Sequence, residues 1–139
     1  MELLLSLWPD DTGPFIVFTG GEPALQLDAE LIFELKKVNT EIAIETNGTL
    51  ALAAGIDWIC MSPKANTDLL VTSGDELKVV YPQEGINPKE LEHLDFTHRY
   101  VQPMDGPFVE ANTKAAIEFC KKNPLWKLSL QTHKLLDIP

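Results

Sequence analysis

Along the chain, short apolar runs alternate with segments whose apolar residues recur at helical spacing, and glycine, proline or asparagine separates most of them. That is the rhythm of βα units rather than of a β-sandwich. Phe15-Ile16-Val17-Phe18, Ile42-Ala43-Ile44, Trp58-Ile59-Cys60-Met61 and Leu77-Lys78-Val79-Val80-Tyr81 predict buried strands, with Arg99-Tyr100-Val101-Gln102 a fifth and Leu125 to Leu130 a last one. After the first strand, Leu31, Ile32, Leu35 and Val38 predict an amphipathic helix, with Asp28 as its N-cap and Lys36 and Lys37 suited to its negative end. Asn87, Pro88 and Glu90 predict the N-cap, first-turn proline and capping partner of a short helix. Val109 to Lys122 predicts a longer one with Ala116, Ile117 and Cys120 inward, stopped by Asn123-Pro124. The expected fold is α/β, with a mostly parallel sheet in a single domain over residues 1–139.

The opening is different. Leu3-Leu4-Leu5 and Leu7-Trp8 read as the tail of an apolar helix with no strand before it. The chain is therefore expected to start inside a βα unit and to leave the Phe15–Phe18 strand with an open edge, which invites pairing with another chain. The same opening lacks the basic flank and small-residue cleavage site of a signal peptide, and no apolar run approaches the ~20 residues of a membrane span. A cytoplasmic protein without a membrane partner is the expectation. Eleven basic against twenty-one acidic side chains, with Arg99 the single arginine, leave no basic face for phosphates and disfavour nucleic acid. Cys60 and Cys120, far apart in apolar surroundings, read as buried thiols in a reducing compartment rather than as a disulfide or metal site.

Polar punctuation falls after the strands: Thr19-Gly20-Gly21-Glu22-Pro23, Glu45-Thr46-Asn47-Gly48, Ser62-Pro63-Lys64 and Gln102-Pro103-Met104-Asp105. Parallel α/β folds build their sites at those carboxyl ends. The glycine pair permits close backbone approach to a ligand, and Glu22 beside it can accept hydrogen bonds from an ammonium group, although a tight turn explains two glycines as well. Lys64 suits a ligand carboxylate or, equally, a surface position. Glu45 follows buried residues and is expected in a partly desolvated pocket, titrating near neutrality as an acid or base, with an exposed loop glutamate as the rival reading. His133 reads as a pocket group or as a surface histidine near the terminus.

Together these strings resemble one family, the 7-carboxy-7-deazaguanine synthases of the radical S-adenosylmethionine superfamily. Gly20-Gly21-Glu22-Pro23 is similar to the motif that holds the methionine end of S-adenosylmethionine. Glu45-Thr46-Asn47-Gly48-Thr49, Ser62-Pro63-Lys64, Tyr100 to Gly106 and Leu128-Ser129-Leu130-Gln131-Thr132-His133-Lys134 follow in the family's order and approximate spacing. The resemblance implies part of a (β/α) barrel whose first strand and cluster loop are missing from this chain. It implies ring contraction of 6-carboxy-5,6,7,8-tetrahydropterin to 7-carboxy-7-deazaguanine in queuosine biosynthesis. The implied cofactors are S-adenosylmethionine, a 4Fe-4S cluster and Mg2+; the implied partners are a second copy in a homodimer and an electron donor such as flavodoxin or ferredoxin. Carried over residue by residue, Thr19 and Pro139 would contact the substrate. Gly20, Gly21, Glu22, Ser62, Pro63, Lys64, Gln102, Pro103, Met104 and Asp105 would contact S-adenosylmethionine, and Glu45 and His133 would be catalytic groups of the substrate pocket.

One departure is large. The family's three-cysteine loop and its magnesium-binding threonine precede the matched region, and Cys60 and Cys120 come from separate core elements that cannot converge on a cubane cluster. No metal ligand is assigned within the chain, which alone is expected to perform no radical chemistry. Three readings stay open: an enzyme lacking its amino-terminal part, a noncatalytic fragment retaining affinity for S-adenosylmethionine or pterin, and an unrelated binding module.

Overall fold

The apolar runs become strands because each is short, rich in β-branched and aromatic residues, and closed by turn-forming residues. A computed structural model describes Trp8 and residues 13–138, so the Leu3-Leu4-Leu5 segment lies outside the described residues. Phe15–Phe18 (β1), Glu41–Thr46 (β2), Trp58–Met61 (β3), Ser73–Tyr81 (β4), Asp95–Pro103 (β5) and Lys127–Leu128 (β6) form one sheet in that spatial order. Every adjacent pair is parallel. Strand order never reverses, so crossovers of one hand place the connecting helices on one side and leave the other side as an inner face. Among the described residues the sheet is open, with β1 and β6 at its edges. The Phe15–Phe18 strand, expected to be buried, is so only in part: Ile16 and Phe18 pack on the outer core, while Phe15 and Val17 alternate onto the inner face and are 45% and 44% exposed.

Ala29–Lys36 (α1) begins where Asp28 Oδ1 accepts from the Leu31 amide at 2.8 Å and buries Ile32 and Leu35 against Ile42 and Ile44 of β2. Val109–Lys122 (α2) spans the expected residues, but its inward stripe is Ala116, Phe119 and Cys120. Ile117, expected inward, is 36% exposed because one helical step past the fully buried Ala116 turns it about 100° away. The core on the outer side continues through Met61, Leu77, Val79 and Val101, with Trp126 seated under α2 by its indole bond to Glu92 at 2.9 Å.

Two strands are longer than their apolar runs. β4 and β5 run in register from Ser73↔Asp95 to Tyr81↔Pro103, so Ser73 to Glu76 and Asp95 to His98 join the sheet despite their polarity. Gly74 makes this possible: a Cβ there would stand 2.9 Å from Phe96 and 3.0 Å from Ile59. The expected Leu125–Leu130 strand shrinks to Lys127–Leu128, because a turn follows Pro124 and the chain then leaves for the short helix Thr132–Leu136 (α3). Asn87 caps a single 3-10 turn, Pro88–Leu91, by accepting from the Lys89 amide at 3.2 Å.

Candidate ligand-binding cleft

At the carboxyl end of β1, Gly20 takes a φ of +113°, a conformation that suits glycine and swings Gly21 over the sheet. A Cβ built on either glycine meets nothing within 4 Å. Their bareness therefore serves open space above them, whereas a Cβ on Gly48, at the end of β2, would stand 2.9 Å from Met61.

Glu22 ties these two loops together. Its carboxylate accepts from the Ala24 amide at 3.1 Å, the Thr46 hydroxyl at 2.7 Å and the Asn47 amide at 2.7 Å. Thr46, 2% exposed, accepts in turn from the Gly48 amide at 3.1 Å. The Ser62 amide bonds to the Thr46 carbonyl at 2.8 Å, so the β3 end is registered on the β2 end and buried Pro63 turns Lys64 outward, exposed.

These ends enclose a cleft of about 420 Å³ lined by Thr19, Gly20, Gly21, Glu45, Ser62, Lys64, Gln102 and His133, with Lys78 and Val80 on its floor. Eight residues expected from the sequence thus converge from four strands and α3. Others do not. Glu22 and Pro63 lie behind the cleft as the brace and the turn just described. Pro103 and Asp105 instead line an adjoining cavity of about 250 Å³ with Val109, Leu130 and Lys134. Met104 lines neither; its amide bonds to Tyr81 O at 2.8 Å and its carbonyl accepts from Asn112 Nδ2 at 2.8 Å. Leu130 and Gln131 line both spaces and form the partition. Asp105 is paired with Lys134, which together with the Gly106 amide holds its carboxyl below the usual carboxylate range. Pro139 lies outside the described residues.

Glu45 is not in the partly desolvated pocket expected for it. Its side chain is 44% exposed in the cleft and pairs with Lys78 Nζ at 3.1 Å. Lys78 was not evident as a site residue, because it sits inside an apolar strand; the signal was the lone cation in Leu77-Lys78-Val79. Burial opposes its ammonium form, but Cys60, Glu45 and Glu76 around it outweigh that cost and raise its pKa. Burial pushes the Cys60 thiol up to about 12, so near neutral pH it is a protonated thiol.

The inner face, on which Glu45 and Lys78 lie, carries Cys60, whereas Cys120 packs with α2 against the outer core. The two thiols are thus on opposite sides of the sheet, and burial raises the Cys120 pKa as well. Among the described residues no three His, Cys, Asp or Glu side chains converge as a metal site. These residues do not fit an iron-sulfur cluster.

A singly wound, open parallel sheet with a polar cleft over its carboxyl ends defines an α/β fold of the barrel type. By sequence, the chain belongs to the 7-carboxy-7-deazaguanine synthase family. It is 53% identical over 137 residues to the 7-carboxy-7-deazaguanine synthase of Burkholderia multivorans, a match covering 98% of this chain and 65% of that protein. Against the Bacteroides thetaiotaomicron enzyme it is 42% identical, covering 88% of this chain and 64% of the relative. The crystal structure of QueE from Escherichia coli superposes with a TM-score of 0.63 at 27% identity, covering 84% of this chain and 56% of that one. The chain thus spans less than two thirds of each of these relatives. No family model matches it.

Proposed function

We propose that the chain supplies the S-adenosylmethionine and pterin sites of a 7-carboxy-7-deazaguanine synthase, a carbon-nitrogen lyase that contracts 6-carboxy-5,6,7,8-tetrahydropterin to 7-carboxy-7-deazaguanine. The reading rests on one observation: the glycine pair, Ser62, Lys64 and Gln102 meet in a single cleft, and both glycines face open space. The donor set suits an amino acid joined to a nucleoside. Main-chain groups at Gly20 and Gly21 approach the methionine end, Lys64 offers a cation to its carboxylate, and Ser62 and Gln102 offer hydroxyl and amide partners to the nucleoside. S-adenosylmethionine held here would be the radical source, and the 4Fe-4S cluster that would reduce it has no ligand set among the described residues. This chain binds and orients: Thr19, Glu45 and His133 meet the pterin from three sides, and Glu45 accepts its N–H groups. Pro139 is a further substrate contact.

In this proposal Mg2+ and the cluster are held by residues beyond those described. The assembly is a cytoplasmic homodimer fed by flavodoxin or ferredoxin, and its product enters tRNA modification through queuosine. The absence of convergent cysteines among the described residues favours a second reading, a noncatalytic chain that keeps the two affinities.

Calorimetric titration of the chain with S-adenosylmethionine tests the site. Binding is expected, with a loss of tenfold or more for Gly21→Val, whose added Cβ meets nothing within 4 Å and stands in the space above the loop. Equal affinities of the wild-type and Gly21→Val chains would overturn the assignment.

A further inference from the structure

Of the polar groups that line the cleft, one comes from the interior of a strand; the others sit at strand ends, in loops or in α3. Lys78 rises from the middle of β4, and its side chain is only 18% exposed. Its neighbours on the inner face come from each adjoining strand. Cys60 of β3 stands in register with Glu76, and Tyr100 and His98 of β5 stand in register with Lys78 and Glu76. Glu76 is already engaged, accepting from the Trp58 indole at 2.9 Å. The ammonium reaches across to Glu45, two strands away, at 3.1 Å.

We propose that Lys78 is a positioning residue, which holds Glu45 over the cleft floor with one carboxylate oxygen engaged and the other presented to the bound ligand. The proposal rests on the cleft being the ligand site. Glu45 occupies the next-to-last position of β2, where its side chain is 44% exposed and would otherwise sample several rotamers. A lysine anchored in a sheet is a firm tether, because the strand fixes its stem and its burial leaves few alternatives for its head. Lys64 and His133 are the other ionisable groups that line the cleft.

Two measurements on the 139-residue chain test this. In the first, the Lys78 amino group is titrated by carbon and nitrogen resonances in the wild type and in Glu45→Gln. Its midpoint is expected to fall when Glu45 loses its charge, and an unchanged midpoint overturns the pairing. The second is a double-mutant cycle of Lys78→Met with Glu45→Gln, read by titration with pterin-6-carboxylate and S-adenosylmethionine. Lys78→Met is expected to weaken pterin-6-carboxylate about tenfold in the wild-type background and hardly at all in the Glu45→Gln background. Lys78→Arg should restore most of the loss, because it keeps the charge on a comparable stem. Additive losses would mean that Lys78 touches the ligand itself and would overturn the division of roles. A wild-type chain that binds neither probe would sink the functional assignment of the cleft instead, while the Lys78 titration in Glu45→Gln still decides the pair. That variant substitutes a side chain nearly half exposed, so the pairing is tested without requiring any Lys78 variant to fold.

Discussion

The two faces of the sheet use the same strands for different ends. On the outer face Ile42, Ile44, Met61, Leu77, Val79 and Val101 are all 0% exposed. On the inner face their immediate neighbours include Glu45, Cys60, Glu76, Lys78 and Gln102. Parallel sheets are ordinarily apolar on both sides. Here stability is concentrated on one face, and the other is free to carry charge at the cost of lost packing. Substitutions on the two faces should therefore separate, with outer changes read in unfolding and inner changes read in binding.

The sharpest contrast is between adjacent residues. Leu77→Ala is expected to cost about 2 to 5 kcal/mol in urea unfolding, the range for a buried leucine, while Lys78→Met costs far less. Comparable losses at the two positions would erase the distinction between faces. Next in size is Glu22→Ala, which removes a charged acceptor shared by three donors and leaves the Asn47 amide unpaired. A loss of roughly 1.5 to 3 kcal/mol is expected. S-adenosylmethionine affinity should fall with it, since Glu22 joins the glycine loop to the β2 end without lining the cleft. Retained affinity in a folded Glu22→Ala chain would show that the loops need no such brace.

Smaller effects come from ionisation. The Lys36 ammonium and the Ile42 amide hold the Asp57 carboxyl below its usual 3.8, so the stability it contributes is present above that value and drains away as pH falls through and below it. Lys78 works in the opposite direction: its pKa is raised above 10.5, so its contribution is present below that value and lost as pH rises beyond it. Melting curves of Asp57→Asn should lose part of the acid limb, and those of Lys78→Met part of the alkaline limb. The least change is expected at the thiols: anaerobic incubation with iron and sulfide should leave the chain without a stoichiometric cluster. A stoichiometric cluster would place Cys60 and Cys120 together rather than across the sheet.

Much of this was legible in the sequence, for particular reasons. The first four strands and both longer helices announce themselves because burial on at least one side demands continuous or periodic apolar residues. The cleft was legible because Gly20, Ser62 and Gln102 all fall at or just past the carboxyl ends of strands, and parallel strands bring such residues to one end. Polar strand halves such as Ser73 to Glu76 were not legible, because they pair through backbone and depend on Gly74 yielding room to Phe96. The role of Lys78 was hidden by the apolar residues around it, and that of Glu22 by its place in a motif: only tertiary structure brings Thr46 and Asn47 to its carboxylate. Gln102 and Asp105 belong to one string but to two cavities, since Leu130 and Gln131 arrive between them from distant sequence.

The unequal strand pairings also set a timetable. β4 and β5 share a register extending over nine residues, whereas β1, among the described residues, is held along four and on one side. Amide protons in the central pair should exchange with solvent late, through openings near the global unfolding free energy, and those of β1 early, through local fraying. The glycine loop hangs from that early-opening strand. A ligand seated on Gly20 and Gly21 would thus be felt most in the exchange times of Phe15 to Phe18, as a slow clock imposed on the part of the sheet that otherwise keeps the fastest.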